Sequence, residues 1–162
     1  MLATLLTEMT DVVLPLGLAL VAGAILGLNR WINHKAAGVR THCLVALGAA
    51  LSILVIQTHS GSSIDTISRV LAGLVTGIGF LGAGVIIREN NNSTVHGLTT
   101  AASLWACALL GATFGARHYG LGLAAVGMML VVLVFGGPFE NLFGRLFGHH
   151  QSDSTEHDST SS

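Results

Sequence analysis

The chain has 162 residues, of which 51% are hydrophobic and only 9% charged, and its mean hydropathy is +0.71. Soluble domains carry about 25% charged residues, so this composition excludes a soluble monomer and a disordered chain. Two cysteines exclude a disulfide-built secreted module, and a formal net charge of −1 excludes a basic nucleic-acid binder. What remains is an integral membrane protein, with the lipid bilayer as its first partner.

The few charges divide the chain into apolar stretches. The first runs from Val12 to Asn29, between Asp11 and Arg30, and predicts a helix over 11–28. It carries Ala19, Gly23 and Gly27 at four-residue steps, a small-residue ridge of the kind that lets helices approach closely in lipid. With no positive charge before it, it does not read as a cleavable signal peptide. A second stretch, apolar from Cys43 to Ile56, predicts a helix over 42–58. Runs such as Leu44 to Leu51 do not alternate, which excludes barrel strands.

The third stretch predicts a helix over 69–87 and holds Gly73, Gly77, Gly79, Gly82 and Gly84. At about 100° per residue, Gly73, Gly77 and Gly84 share one face, with Gly79 and Gly82 roughly opposite. The expectation is a central helix packed on both faces. The same glycines permit another reading. Each costs a helix about 1 kcal/mol relative to Ala, and a broken helix exposes backbone groups that bind ions at mid-membrane. The segment from Gly77 also fits G-x-G-x-x-G, but without a preceding strand the dinucleotide reading fails.

A fourth helix is expected over 97–115, with Gly111 and Gly115 one turn apart, and a fifth over 119–137. Each stretch approaches the ~20 apolar residues that cross a bilayer. The fold class is therefore all-α, a transmembrane bundle of five spans over residues 1–138. A short amphipathic segment, 139–148, and a polar tail, 149–162, follow; the tail's composition is that of a disordered segment.

Five spans place Arg30, Lys35, Arg40, Arg88 and Arg145 on one side and Arg69 and Arg117 on the other. The excess of Lys and Arg marks the cytoplasmic side, which puts the N-terminus out and the C-terminus in. No Asp, Glu, Lys or Arg falls inside a predicted span. The embedded Ser52, Thr76, Thr99, Thr100 and Ser103 are expected to bond back to their own helices or bridge to neighbours. Cys43 and Cys107 fall at different predicted depths, so both are expected as free thiols.

The richest polar set lies at one end: Asn29-Arg30-Trp31, then Ala37 to His42, facing Arg88-Glu89-Asn90 and His96-Gly97. Its basic residues read either as topology anchors touching headgroups or as a collar that pairs with an acidic partner or a phosphate. The eight histidines show no ligand spacing, and Mg²⁺ wants paired carboxylate or carbonyl oxygens that the sequence does not gather. There is no phosphate loop, no Ser/His/Asp set and no H-E-x-x-H, so neither an enzyme nor a cofactor is expected.

Three ordered blocks carry a resemblance. Gly27-Leu-Asn-Arg30 followed by Ala37-Gly-Val-Arg-Thr-His-Cys-Leu-Val-Ala-Leu-Gly-Ala-Ala50 resembles the MgtC/SapB family of bacterial inner-membrane proteins. So do Gly77-Ile-Gly-Phe-Leu-Gly-Ala-Gly-Val-Ile-Ile-Arg88 and Val95-His-Gly-Leu-Thr-Thr-Ala-Ala-Ser-Leu-Trp105, the match covering roughly residues 17–137. The resemblance implies a multi-pass inner-membrane protein linked to magnesium homeostasis, growth in low magnesium and, in some members, survival inside host cells. It implies a small regulator acting on other membrane machines, with the F-type ATP synthase and P-type magnesium pumps as candidate partners. A homo-oligomer, or a small ion pathway lined by the third helix, is the alternative.

The residues it singles out are Asn29, Arg30, Gly38, Arg40, Thr41, Gly77, Gly79, Gly82, Gly84, Arg88, Thr99 and Thr100. Packing is implied for the glycines and contacts at the cytoplasmic face for the others. Many family members have Glu where this chain has Asn29, which removes a carboxylate that could hold a cation. Many also carry a C-terminal ACT-like domain, for which this chain has only the short segment and tail.

Overall fold

The computed structural model describes residues 2–58, 63–88 and 95–147; at 2–8, 58, 87, 88 and 140–147 it describes the backbone alone. Five helices are described: α1 (Leu2–Ile32), α2 (Val39–Thr58), α3 (Ile64–Val85), α4 (Leu98–Gly115) and α5 (Tyr119–Phe147). All five contain a segment long and apolar enough to cross a membrane, the shortest being the 18 residues of α4. Two-residue strands, β1 (Ile87–Arg88) and β2 (Val95–His96), pair antiparallel between α3 and α4, with Ile87 opposite His96 and Arg88 opposite Val95.

The helices run past their predicted ends, because helix propensity does not stop where charge begins. α1 continues to Ile32 and brings Arg30 inside the span Met9–Ile32. That overturns the expectation of charge-free spans, since Arg30 is only 4% exposed. α5 passes through Pro138 without a break and ends at Phe147, ten residues beyond the predicted 137. The tail expected at 149–162 lies outside the described residues.

The centre of the bundle is α4, not α3. α4 touches α1, α2, α3 and α5. Of its apolar stretch 56% is buried inside the bundle, against 11% for α3. Its small Ala108 and Ala112 meet α2 and α3, while Cys107 and the larger Leu110 and Phe114 join Ala19, Ala22 and Leu26 of α1. Gly111 lies against the Ala46 carbonyl of α2, and a Cβ at Gly115 would stand 2.5 Å from the Ala50 oxygen. These are backbone-to-backbone contacts that any side chain would force apart.

The ridge on α1 behaves as its spacing predicts. A Cβ at Gly23 would lie 2.7 Å from the His42 carbonyl oxygen, and one at Gly27 would lie 2.6 Å from the Val39 Cα. α3 packs instead through its larger residues, Ile67, Leu71, Leu74 and Ile78, against Ala49 and Ile53 of α2 and the α4 alanines. α3 is one continuous helix, so the broken-helix reading of its glycines does not describe it.

Two long-range contacts hold α1 antiparallel to α4. Arg30 at the end of α1 reaches Thr100 in the first turn of α4, and Arg117 beyond the end of α4 donates to the Asp11 carbonyl at 3.4 Å. The alternation required of consecutive spans is thus built into the packing.

Candidate functional site at the polar end of the bundle

Where α1 ends, α2 begins and α4 begins, a seam of polar side chains is buried among apolar helices. Arg30 Nη2 donates to Thr100 Oγ1 at 2.8 Å, with Thr100 itself 2% exposed. His42, fully buried, places Nδ1 at 3.0 Å from the Gly38 carbonyl and Nε2 at 3.2 Å from Ser103 Oγ. Ser103 Oγ also lies 2.8 Å from the Thr100 carbonyl. Cys107, one turn further along α4, donates its thiol to the His42 carbonyl at 3.3 Å. The seam therefore ties α1 to α4 through Arg30 and α2 to α4 through His42.

Proton counting limits what the seam can do. A carbonyl only accepts, so Nδ1 of His42 carries a hydrogen. Ser103 has one hydroxyl hydrogen and two acceptors within reach. With a neutral imidazole that hydrogen goes to Nε2; with an imidazolium Nε2 donates to Oγ and Ser103 is free to donate to the Thr100 carbonyl. Both arrangements satisfy the ring's hydrogen bonds.

Arg30 is less well served. Its Nε is buried with no hydrogen-bond partner, as is Oδ1 of the preceding Asn29. The described carboxylates do not reach it. Asp65 is the ion-pair partner of Arg69 at 3.0 Å, and Asp11 lies 19 residues back along α1, about 28 Å at 1.5 Å per residue. A buried charge without a counter-charge costs several kcal/mol unless something compensates it.

Of the twelve residues singled out from the sequence, the structure gathers Asn29, Arg30, Gly38 and Thr100 in this seam. Arg40, Thr41 and Thr99 are exposed beside it. Arg88 enters β1 by its backbone; its side chain lies outside the described residues. The glycines separate. Gly82 is buried on α3, where an added Cβ would meet Ala101 at 3.4 Å, while Gly77, Gly79 and Gly84 have nothing within 4 Å of where one would stand. Packing within the chain, the role expected of them, applies to Gly82 alone.

His42 and Ser103 complete the seam and were not among the twelve. A usable signal was present: His42 follows Gly38 by four residues and Thr100 precedes Ser103 by three, so each pair shares a helix face. Ser52 and Thr76 bond back to Gly48 and Ala72 as expected. Cys43 and Cys107 are both free thiols. The depth argument behind that expectation fails, because Cys107 bonds to the residue adjoining Cys43.

On the opposite flank, α2 and α3 diverge around an open apolar groove of about 740 Å³, lined by Leu44, Gly48, Gly73, Leu74, Gly77 and Leu81 among others. Gly73, Gly77 and Gly84 share this side of α3, and Phe80 beside them is 81% exposed.

Comparison with known proteins places these features in context. Residues 16–142 match the model of the MgtC family. Protein SrpB of Synechococcus elongatus is 42% identical over 130 residues, covering 74% of this chain and 70% of that protein. The putative magnesium transporter YhiD of Escherichia coli is 39% identical over 129 residues, 76% of this chain and 59% of that protein. Protein MgtC of Salmonella typhimurium is 46% identical over 112 residues, 69% of this chain but only 46% of that protein. The chain thus spans about half the length of the MgtC proteins it matches. No solved structure matches it at a significant level.

Proposed function

The chain belongs to the MgtC family, and from that premise we propose that it is a multi-pass inner-membrane protein of a bacterium adapting to low magnesium, acting by docking laterally against another membrane protein. The observation that carries this reading is the open face of α3. Small residues let helix backbones meet closely in lipid, where there is no hydrophobic drive to associate. On α1 and α4 that property is used within the chain; on α3, Gly73, Gly77 and Gly84 meet nothing. A single transmembrane helix of a partner fits the groove they border. The F-type ATP synthase and P-type magnesium pumps are the candidates implied by the family resemblance, and the basic end carrying Arg30, Lys35 and Arg40 is assigned to the cytoplasm.

The test is affinity purification of the full chain from mild detergent, with and without Gly77→Ile. Wild type is expected to retain a membrane partner and the variant to lose it while keeping its own thermal stability. Repeated recovery of the chain alone from wild-type membranes overturns the reading.

A second reading, an ion pathway beside α3, is supported by the printed name of the relative from Escherichia coli, a putative magnesium transporter. In one copy Gly73, Gly77 and Gly84 meet no other helix, so such a path would lie between copies. Magnesium flux into liposomes holding the purified chain, abolished by Gly77→Ile, favours it over docking to a different protein.

A further inference from the structure

We infer that the groove between α2 and α3 binds one phospholipid of the phosphatidylethanolamine class, with an acyl chain along the groove and the headgroup on Arg69 and Asp65. The groove changes character along its length. Its walls are apolar from Leu44 and Leu81 through Gly73 and Gly77, and its polar lining, Ser52 and Arg69, lies at the other end. Ser52 is near the end of α2 and Arg69 near the start of α3, so both stand where these helices connect, opposite the end that carries Arg30. A Cβ at Gly73 or Gly77 would meet nothing within 4 Å, so the glycines leave the groove hollow. Arg69 and Leu81 are 12 residues apart, about 18 Å of helix. One leaflet's acyl chains fill about 15 Å, half of a ~30 Å hydrocarbon core. The groove has the length of one such chain.

The charges at the polar end fall in the order that this headgroup needs. Arg69 lines the groove, and Asp65 stands one helical turn further toward the connection, outside the groove's lining. In phosphatidylethanolamine the phosphate adjoins the glycerol and its chains, and the ammonium lies beyond the phosphate. Arg69 donates from Nε to Asp65 Oδ2 at 3.0 Å, which leaves its two Nη groups and Asp65 Oδ1 without a partner among the described residues. The Nη pair suits two phosphate oxygens, and Oδ1 accepts from the ammonium. Both side chains are exposed, so neither has to leave a packed position to meet the lipid. Phosphatidylglycerol offers Arg69 the same phosphate but gives Asp65 no cation. The site does not rest on the docking proposed above: the lipid fills the groove of the chain by itself, and a partner helix would displace it.

The full chain is purified, stripped of lipid with excess detergent, and offered an equal mixture of phosphatidylethanolamine, phosphatidylglycerol and diacylglycerol. Retention is read by native mass spectrometry. Wild type is expected to hold one phosphatidylethanolamine per chain, about fivefold over phosphatidylglycerol and about tenfold over diacylglycerol, which has the chains without the phosphate. Arg69→Gln should lower that retention about tenfold, and Asp65→Asn should bring the two phospholipids within about twofold of each other. Gly73→Leu, which fills the groove, should abolish retention of all three. Arg69 and Asp65 are exposed, so their variants fold as wild type does. The inference is overturned if wild type holds no lipid, if it holds phosphatidylglycerol or diacylglycerol as well as phosphatidylethanolamine, or if either headgroup variant retains and discriminates as wild type does. A lipid-free dimer that Gly73→Leu separates assigns the groove to a second copy and also overturns it. The measurement uses the chain alone, so its failure is distinct from failure to recover a membrane partner.

Discussion

α3 and α4 are both built largely from small residues, yet they occupy opposite situations in the molecule. On α4, Gly111 and Gly115 are pressed against the backbone of α2, and Ser103 and Thr100 turn inward to meet His42 and Arg30. On α3, a Cβ added at Gly73, Gly77, Gly79 or Gly84 would meet no neighbouring helix within 4 Å, and Thr76 bonds to its own helix. Glycine permits close approach; it does not supply the neighbour. The crowded helix holds the fold together, and the open one is available to something outside it.

The sharpest way to break this contrast is to add one methyl group to each helix. Gly111→Ala drives a Cβ into the Ala46 carbonyl and is expected to cost about 1–3 kcal/mol through overpacking. Gly77→Ala meets nothing and removes a weak helix former, so it should leave stability unchanged or raise it by up to about 1 kcal/mol. Thermal unfolding in detergent reads both; similar losses would mean that α3 is packed as tightly as α4.

A comparable effect separates the seam from its rim. Thr100→Val strands the Arg30 Nη2 donor in a buried place and should cost about 1–3 kcal/mol. Thr99→Val, one residue away but exposed, should stay within about 0.5 kcal/mol of wild type. Urea unfolding followed by Trp fluorescence ranks the two. The smallest effect belongs to α3's own ion pair: Arg69→Ala removes an exposed i,i+4 contact to Asp65 and should cost no more than about 0.5 kcal/mol. A loss above 1 kcal/mol there would show that this end of α3 is covered in the working protein.

Much of the fold was legible in residue order. Charge spacing located all five helices, and the four-residue steps of Ala19, Gly23 and Gly27 marked a face that does lie directly on α2. The error about α3 has a specific cause: a helical wheel shows which residues share a face, but not whether a neighbour is there. The seam was half visible. Asn29, Arg30, Gly38 and Thr100 stood out through their motif blocks. His42 looked like one more scattered histidine, because its partner Ser103 is 61 residues away.

Lateral docking rests on a surface that packing left open, whereas the seam holds a charge that packing enclosed and that the sequence had placed outside the span.

The sequence alone determined that this is a membrane protein with five helices long and apolar enough to cross a bilayer. Those properties depend on local composition and on the energy of placing charge in lipid, which each segment carries by itself. Only the tertiary structure decided that α4 is the centre, that Arg30 is interior, and that His42 and Ser103 belong together. Those depend on which faces meet, and in lipid that choice is made by shape and hydrogen bonding between distant segments, which no single segment contains.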